Sequence, residues 1–221
     1  MTQLSPDMTV SAIAADLPGA AEMFRTKGIK FCCGGNIALS EAATKVGVLP
    51  DALIADLQAL ADAAGRDAPE ATPALIDHIL SRYHETHRAE LEWLIPLAQK
   101  VERVHGDHEE APLGLTGALI ALRDDLDAHM AKEEAVLFPL MRQGGNPIIV
   151  HPIAQMRHEH DHTARLLAGL DHVTHGLALP EGACGSWTAL YIGVRKLADD
   201  LVTHLHLENN VLFARFEPAN V

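Results

Sequence analysis

His129 and Glu133 stand four residues apart, as do His204 and Glu208, and the same Val-Leu-Phe follows each pair, at 136–138 and 211–213. On a helix this spacing puts imidazole and carboxylate on one face, one turn apart. Leu122, Leu126, Met130 and Leu137 recur at helical spacing around His129 and turn that face inward. Two carboxylates buried in such a frame repel one another and carry a large desolvation cost, which a pair of bound cations removes. A second internal alignment adds two more imidazoles. Setting His84 against His160 matches Leu80 to Met156 and Leu91 to Leu167.

Four helices are needed to carry these residues. Helical segments are predicted over 72–104, 112–142, 150–175 and 183–216. Their separators are Gly106-Asp107 with Pro112, Gly144-Gly145 with Pro147, and Gly176 with Pro180 and Gly182. Pro96 and Pro139 fall inside two segments, where each is expected to kink or end a helix. Long helices with short connections predict an all-α, up-down-up-down four-helix bundle.

In an antiparallel helix pair, residues equidistant from the connection lie at one level. The midpoint of His84 and His129 falls between Gly106 and Asp107, that of His129 and His160 between Gly144 and Gly145, and that of His160 and His204 on Gly182. Every midpoint lands on a predicted breaker, so four histidines, one per helix, share a layer with two glutamates. Four neutral nitrogens and two carboxylates able to bridge suit a dinuclear site, and non-haem di-iron is the leading assignment, ahead of di-manganese or a mixed pair. Zinc prefers fewer ligands and magnesium more oxygen. Ferritin-like bundles use Glu-x-x-His; the order His-x-x-x-Glu points to a hemerythrin-like arrangement.

The other histidines, His78, His87, His108 and His162 among them, fall off the inward layer, and most are read as solvated. His105 suits a helix C-terminus, and Cys184 is read as packing. Glu134 is placed on the outer face. Asp125 and Glu159 either line an ion route or meet solvent, and solvent is the leading reading.

Ahead of the bundle, 1–65 is expected to form a small helical domain, separated from a 72–217 bundle domain by the linker-like GRDAPEATP (65–73). Thr9 is placed to cap its first helix, Pro18 to open a second that ends near Gly28, and a third begins near Pro50. Between them lies FCCGGN (31–36), a turn in which a bond between Cys32 and Cys33 would be strained and easily reduced. The pair is read as a redox switch or a soft landing site for iron, against the alternative of inert thiols.

A hydrophobic fraction of 48% supplies an ample core, and a net charge of -13 argues against nucleic acid or an anionic membrane as partner. No secretory signal and no apolar run of about 18 residues is visible. With three cysteines, two of them adjacent, the expected compartment is the reducing cytoplasm.

Taken together, FCCGGN, SRYHETHR (81–88), KVERVH (100–105), HMAKEEAVLFP (129–139), EHD (159–161) and HLHLENNVLF (204–213) resemble the repair-of-iron-centres (RIC) di-iron proteins of the YtfE/ScdA type, over nearly the whole chain. The resemblance implies a hemerythrin-like bundle in a cytoplasmic homodimer, with two iron ions bridged by oxo or hydroxo. One iron is expected near His84 and His129 and the other near His160 and His204, with Glu133 and Glu208 bridging. It further implies iron–sulfur proteins damaged by nitric oxide or oxidants as clients. Iron donation with Cys32 and Cys33 passing iron or electrons is the leading reading, which makes the chain a repair protein rather than an enzyme. The alternatives are a nitric oxide reductase forming nitrous oxide at the diferrous centre, and a sensor that binds O2 or NO.

Overall fold

The computed structural model describes residues 4–29, 31, 35–64 and 68–217, which form two units, Met1–Asp67 and Ala68–Val221. In the first unit, α1 (Val10–Asp16) starts where Thr9 Oγ1 accepts the Ala12 N–H at 3.3 Å. After it comes α2 (Ala20–Thr26), which ends before Gly28 at φ 73. Helix α4 (Pro50–Ala63) opens on its proline, where no N–H is missed.

Between these lies α3 (Leu39–Lys45), a helix the sequence reading lacks. It has seven residues and no side-chain cap, so neither the cap nor the length signal announces it. Its Leu39, Ala42 and Ala43 are buried with Val10, Phe24, Leu53 and Leu57, so packing within the unit holds it. Cys32 and Cys33 lie outside the described residues.

In the second unit four long helices carry the layer. Helix α5 runs as Thr72–Ile79, passes through a π turn over Leu80–His84 and continues as Glu85–His105. Helix α6 is Leu115–Lys132, a π turn over Glu133–Leu137, then Phe138–Arg142. Helix α7 enters through a 3-10 turn, Pro147–Ile149, and runs as Val150–Val173. Helix α8 is Gly185–His206, a π turn over Leu207–Leu212, and a last 3-10 turn, Phe213–Arg215. Pro96 does not end α5, which continues past it to His105. Pro139 follows directly on a π turn, in the first turn of Phe138–Arg142, where its missing N–H is tolerated.

Packing runs around a ring, α5 against α6, α6 against α7, and α8 against α5. Its apolar interior is divided in two. One cluster includes Leu91, Leu94, Leu119, Leu122, Leu126 and Leu201, and the other Leu75, Ile79, Leu137, Phe138, Met156 and Phe213. On α5 and α7 the predicted histidine falls between the helix's contributions to these clusters, and on α6 and α8 it lies at the end of the first contribution, next to Met130 and Leu205. The polar layer is therefore walled above and below by hydrocarbon, which raises the cost of any charge left unpaired in it. Among the described residues no helix is long and apolar enough to cross a membrane.

Candidate metal centre

His84, His129, His160, His204, Glu133 and Glu208 are each at most 3% exposed, and their ligand atoms fall into two sets. One is His84, Glu133, His204 and Glu208; the other is His129, Glu133, His160 and Glu208. Both glutamates belong to both sets. The histidine pairing corrects the one the resemblance implied. His84 sits with His204, ring centroids 5.0 Å apart, and His129 with His160 at 4.8 Å. Equal distance from a loop fixes the height of a residue but not which of two neighbouring helices its side chain faces. The hairpin partner is the wrong neighbour here: α5 turns His84 toward α8, and α6 turns His129 toward α7.

Each π turn ends or begins on this layer, at His84, Glu133 and Leu207-Glu208. A widened turn slips the helix face, so that ligands and flanking core residues both point inward. The repeated Val-Leu-Phe also finds its reason. Phe138 on α6 stacks on His84 of α5, and Phe213 on α8 stacks on His160 of α7 at 11° between planes. The phenyl rings close the apolar side of the layer over the imidazoles.

Three histidines are oriented through Nδ1. His84 donates to Glu134 Oε1 at 2.8 Å, His129 to Glu159 Oε2 at 3.0 Å, and His160 to Asn209 Oδ1 at 2.9 Å. Carboxylate and amide oxygens accept only, so Nδ1 keeps the proton and Nε2 is left with its lone pair, the ligating form. Burial first, and then the neighbouring His204, lowers His84 to about 4, which keeps it neutral. Burial and His160 likewise lower His129.

The donor atoms oppose one another unless something positive lies among them. Nε2 of His129 and Nε2 of His160 face each other at 3.1 Å with both protons held on Nδ1. That separation is what two donors sharing one cation at about 2.1 Å give in a cis arrangement, about 3 Å. Both oxygens of Glu133 are buried without a hydrogen-bond partner, and burial followed by repulsion from Glu208 pushes its carboxyl well above the ordinary value. Burial also opposes ionisation of Glu208, but His204, 3.1 Å from it, outweighs that and holds it low. The residues fit a pair of cations.

Both accessory carboxylates depart from the sequence reading. Glu134 is exposed, as expected, yet it orients His84. Glu159 also accepts from Lys132 at 2.7 Å and Gln155 at 2.9 Å, so it is a held second partner of His129 rather than a solvated group. Glu159→Ala is therefore expected to weaken metal binding in the His129 half by about 10–100-fold. A metal titration that resolves the two sites checks this. Asp125 accepts from Thr163 Oγ1 at 2.8 Å. His87, read as off the inward layer, is 0% exposed. Its three-residue offset from His84 was the available signal. His105 Nε2 lies 3.1 Å from Cys184 Sγ, a contact between chain segments that spacing alone does not show.

Residues 75–216 match the hemerythrin HHE cation binding domain family, and residues 6–61 match a domain of unknown function, DUF542. Iron-sulfur cluster repair protein YtfE of Pectobacterium carotovorum is 43% identical over 212 residues, covering 95% of this chain and 96% of that protein. The proteins of the same name from Salmonella choleraesuis and Escherichia coli are each 42% identical, with 95% of this chain and 96% of theirs covered. The chain belongs to the YtfE family of iron-sulfur cluster repair proteins. The two matches follow one another along the chain, 6–61 ahead of 75–216.

Proposed function

We propose that this YtfE-family chain holds two iron ions between the four histidines and two shared glutamates, and restores damaged iron–sulfur clusters by giving iron to them. The observation that carries the reading is the pair of four-residue sets with Glu133 and Glu208 common to both. Bound there, iron supplies a cation whose charge changes by one electron, and so does its hold on carboxylates. The chain contributes four neutral imidazoles, a dry layer that excludes competing water, and only six ligating side chains for two sites. So sparse a set favours release over permanent retention. Cys32 and Cys33 are assigned to receive the ion or the electron, in a cytoplasmic homodimer whose clients are damaged iron–sulfur proteins.

The test loads the full chain with ferrous iron and adds a dehydratase whose cluster nitric oxide has damaged. Recovery of dehydratase activity above an equal concentration of free ferrous iron, matched by iron lost from the chain, is expected. No recovery, with iron retained and nitric oxide consumed to nitrous oxide, replaces donation by the enzymatic alternative. Cys32→Ser with Cys33→Ser is expected to abolish recovery while leaving two irons bound. Unimpaired recovery removes the cysteine pair from the transfer route.

A further inference from the structure

Because the two helix pairs repeat, each half of the centre predicts the other. His84 corresponds to His160, and each donates Nδ1–H to the residue that follows a shared glutamate, Glu134 at 2.8 Å and Asn209 at 2.9 Å. His129 corresponds to His204, and here the halves part. His129 donates to Glu159, the residue before His160. The residue before His84 is Tyr83, which cannot take that role in the same way: it lies flat on His204, with centroids 5.3 Å apart and planes 5° from parallel. His204 Nδ1 is buried without a hydrogen-bond partner. An imidazole that offers Nε2 to a cation keeps its proton on Nδ1 and needs an acceptor for it. The carboxylate one turn earlier on the same helix, Asp200, is already held by Arg82 at 2.7 and 3.0 Å and by Lys196 at 2.7 Å.

His87 is the complementary orphan. It is 0% exposed, neither ring nitrogen has a partner, and its ring centroid is 5.3 Å from that of His204. The two rings make no N–H···N bond in this arrangement. Their separation admits one after a turn of either ring, since such a bond puts centroids about 5 Å apart, a donor–acceptor distance of about 2.9 Å plus two ring radii. A neutral imidazole has one nitrogen that donates and one that accepts. In the other half the matching position is Thr163, which has its partner in Asp125 at 2.8 Å. There the histidine already has Glu159, and no imidazole is needed.

We propose that His87 is the positioning residue for His204, accepting its Nδ1–H and so presenting Nε2 to the metal of the His84, Glu133, His204 and Glu208 set. The inference rests on the metal-centre reading and names the acceptor that completes it. The experiment titrates cobalt(II) into the metal-free full chain and follows the visible d–d bands of wild type, His87→Leu and His87→Gln. In His87→Leu one of two cobalt sites is expected to weaken about 10–100-fold with shifted bands, the other keeping its affinity. His87→Gln, whose amide oxygen accepts, is expected to restore the affinity to within a few fold. In zinc-loaded wild type, a scalar coupling across the hydrogen bond between ring nitrogens of His204 and His87 is the direct signature and depends on no variant. Its absence overturns the proposal. So does wild-type cobalt affinity at both sites in His87→Leu, or an equal loss in the Leu and Gln variants. A wild-type chain that takes up no cobalt overturns the metal-centre reading and this inference with it.

Discussion

Glu133→Leu is expected to empty both metal sets and to raise the melting temperature of the metal-free protein, whereas Glu208→Leu empties both and lowers it. The two carboxylates are sequence equivalents and equally buried, at 0% exposure, but their surroundings differ. Neither oxygen of Glu133 has a hydrogen-bond partner, and its nearest imidazole nitrogens stand 3.4 Å away. Without metal it is a buried acid with no cationic partner, pushed toward its protonated form by burial and by Glu208 beside it. Replacing such a group by a hydrocarbon of similar volume removes a desolvation cost of about 1–3 kcal/mol. At about 2–4 °C per kcal/mol for a chain of this size, the melting temperature rises by several degrees. Glu208 lies 3.1 Å from both His160 Nε2 and His204 Nε2. Of the two, His204 Nε2 is the one hydrogen-bonded to it, while His160 keeps Asn209. Removing Glu208 therefore leaves one buried imidazole nitrogen unpaired, at a cost of about 1–3 kcal/mol. Calorimetry on the metal-free variants, with iron per chain measured after loading, checks both signs. Retained iron in Glu133→Leu removes it as a shared ligand, and shifts of one sign in both variants remove the asymmetry.

The sequence made the height of the centre readable but not its cross-section. Loop-centred arithmetic places His84, His129, His160 and His204 in one layer because rise per residue is nearly constant along a helix. Which neighbour each ring faces depends on rotation about the helix axis, and the three π turns alter that rotation locally. This is why the His84–His204 and His129–His160 pairs were not legible. The orienting groups escaped for a related reason. Glu134 and Glu159 sit beside ligands in sequence and by helical period belong on the solvent side, yet long side chains reach across to the next helix. His87 shares the face of His84 by its three-residue offset, but it lies off the level that loop-centred arithmetic picks out. Helix α3 was missed because seven residues without a cap carry too little local signal, while tertiary burial of Leu39 decides the matter.

Gly35→Ala is expected to unfold much of the first unit at temperatures where the metal sets remain intact. An added Cβ at Gly35 meets Phe31 O at 1.9 Å, Phe31 C at 2.7 Å and Ser11 Cβ at 2.9 Å. Two of these atoms are backbone, so no rotamer change relieves the clash, and one segment has to move away from another. That movement breaks a row of bonds that ties α1 to the chain ahead of α3. Ser11 N–H donates to Gly35 O at 2.9 Å, Val10 N–H to Ile37 O at 3.2 Å, and Leu39 N–H to Met8 O at 2.8 Å. Overpacking without escape costs about 1–3 kcal/mol and occasionally more. A unit of this size has only about 3–10 kcal/mol in all, at roughly 0.05–0.15 kcal/mol per residue. Its melting temperature falls by about 4–8 °C for each kcal/mol lost. Hydrogen exchange on the full chain checks this, with the amides of α1 to α4 expected to lose protection in Gly35→Ala. Two irons per chain are expected to remain, since every ligand of both sets lies between residues 84 and 208. If the Cys32-Cys33 segment takes part in cluster repair, repair fails in this variant although both cysteines are present and the iron is bound. Full protection of α1 to α4 in Gly35→Ala is the result that removes the close approach at Gly35 as a determinant of this unit's fold.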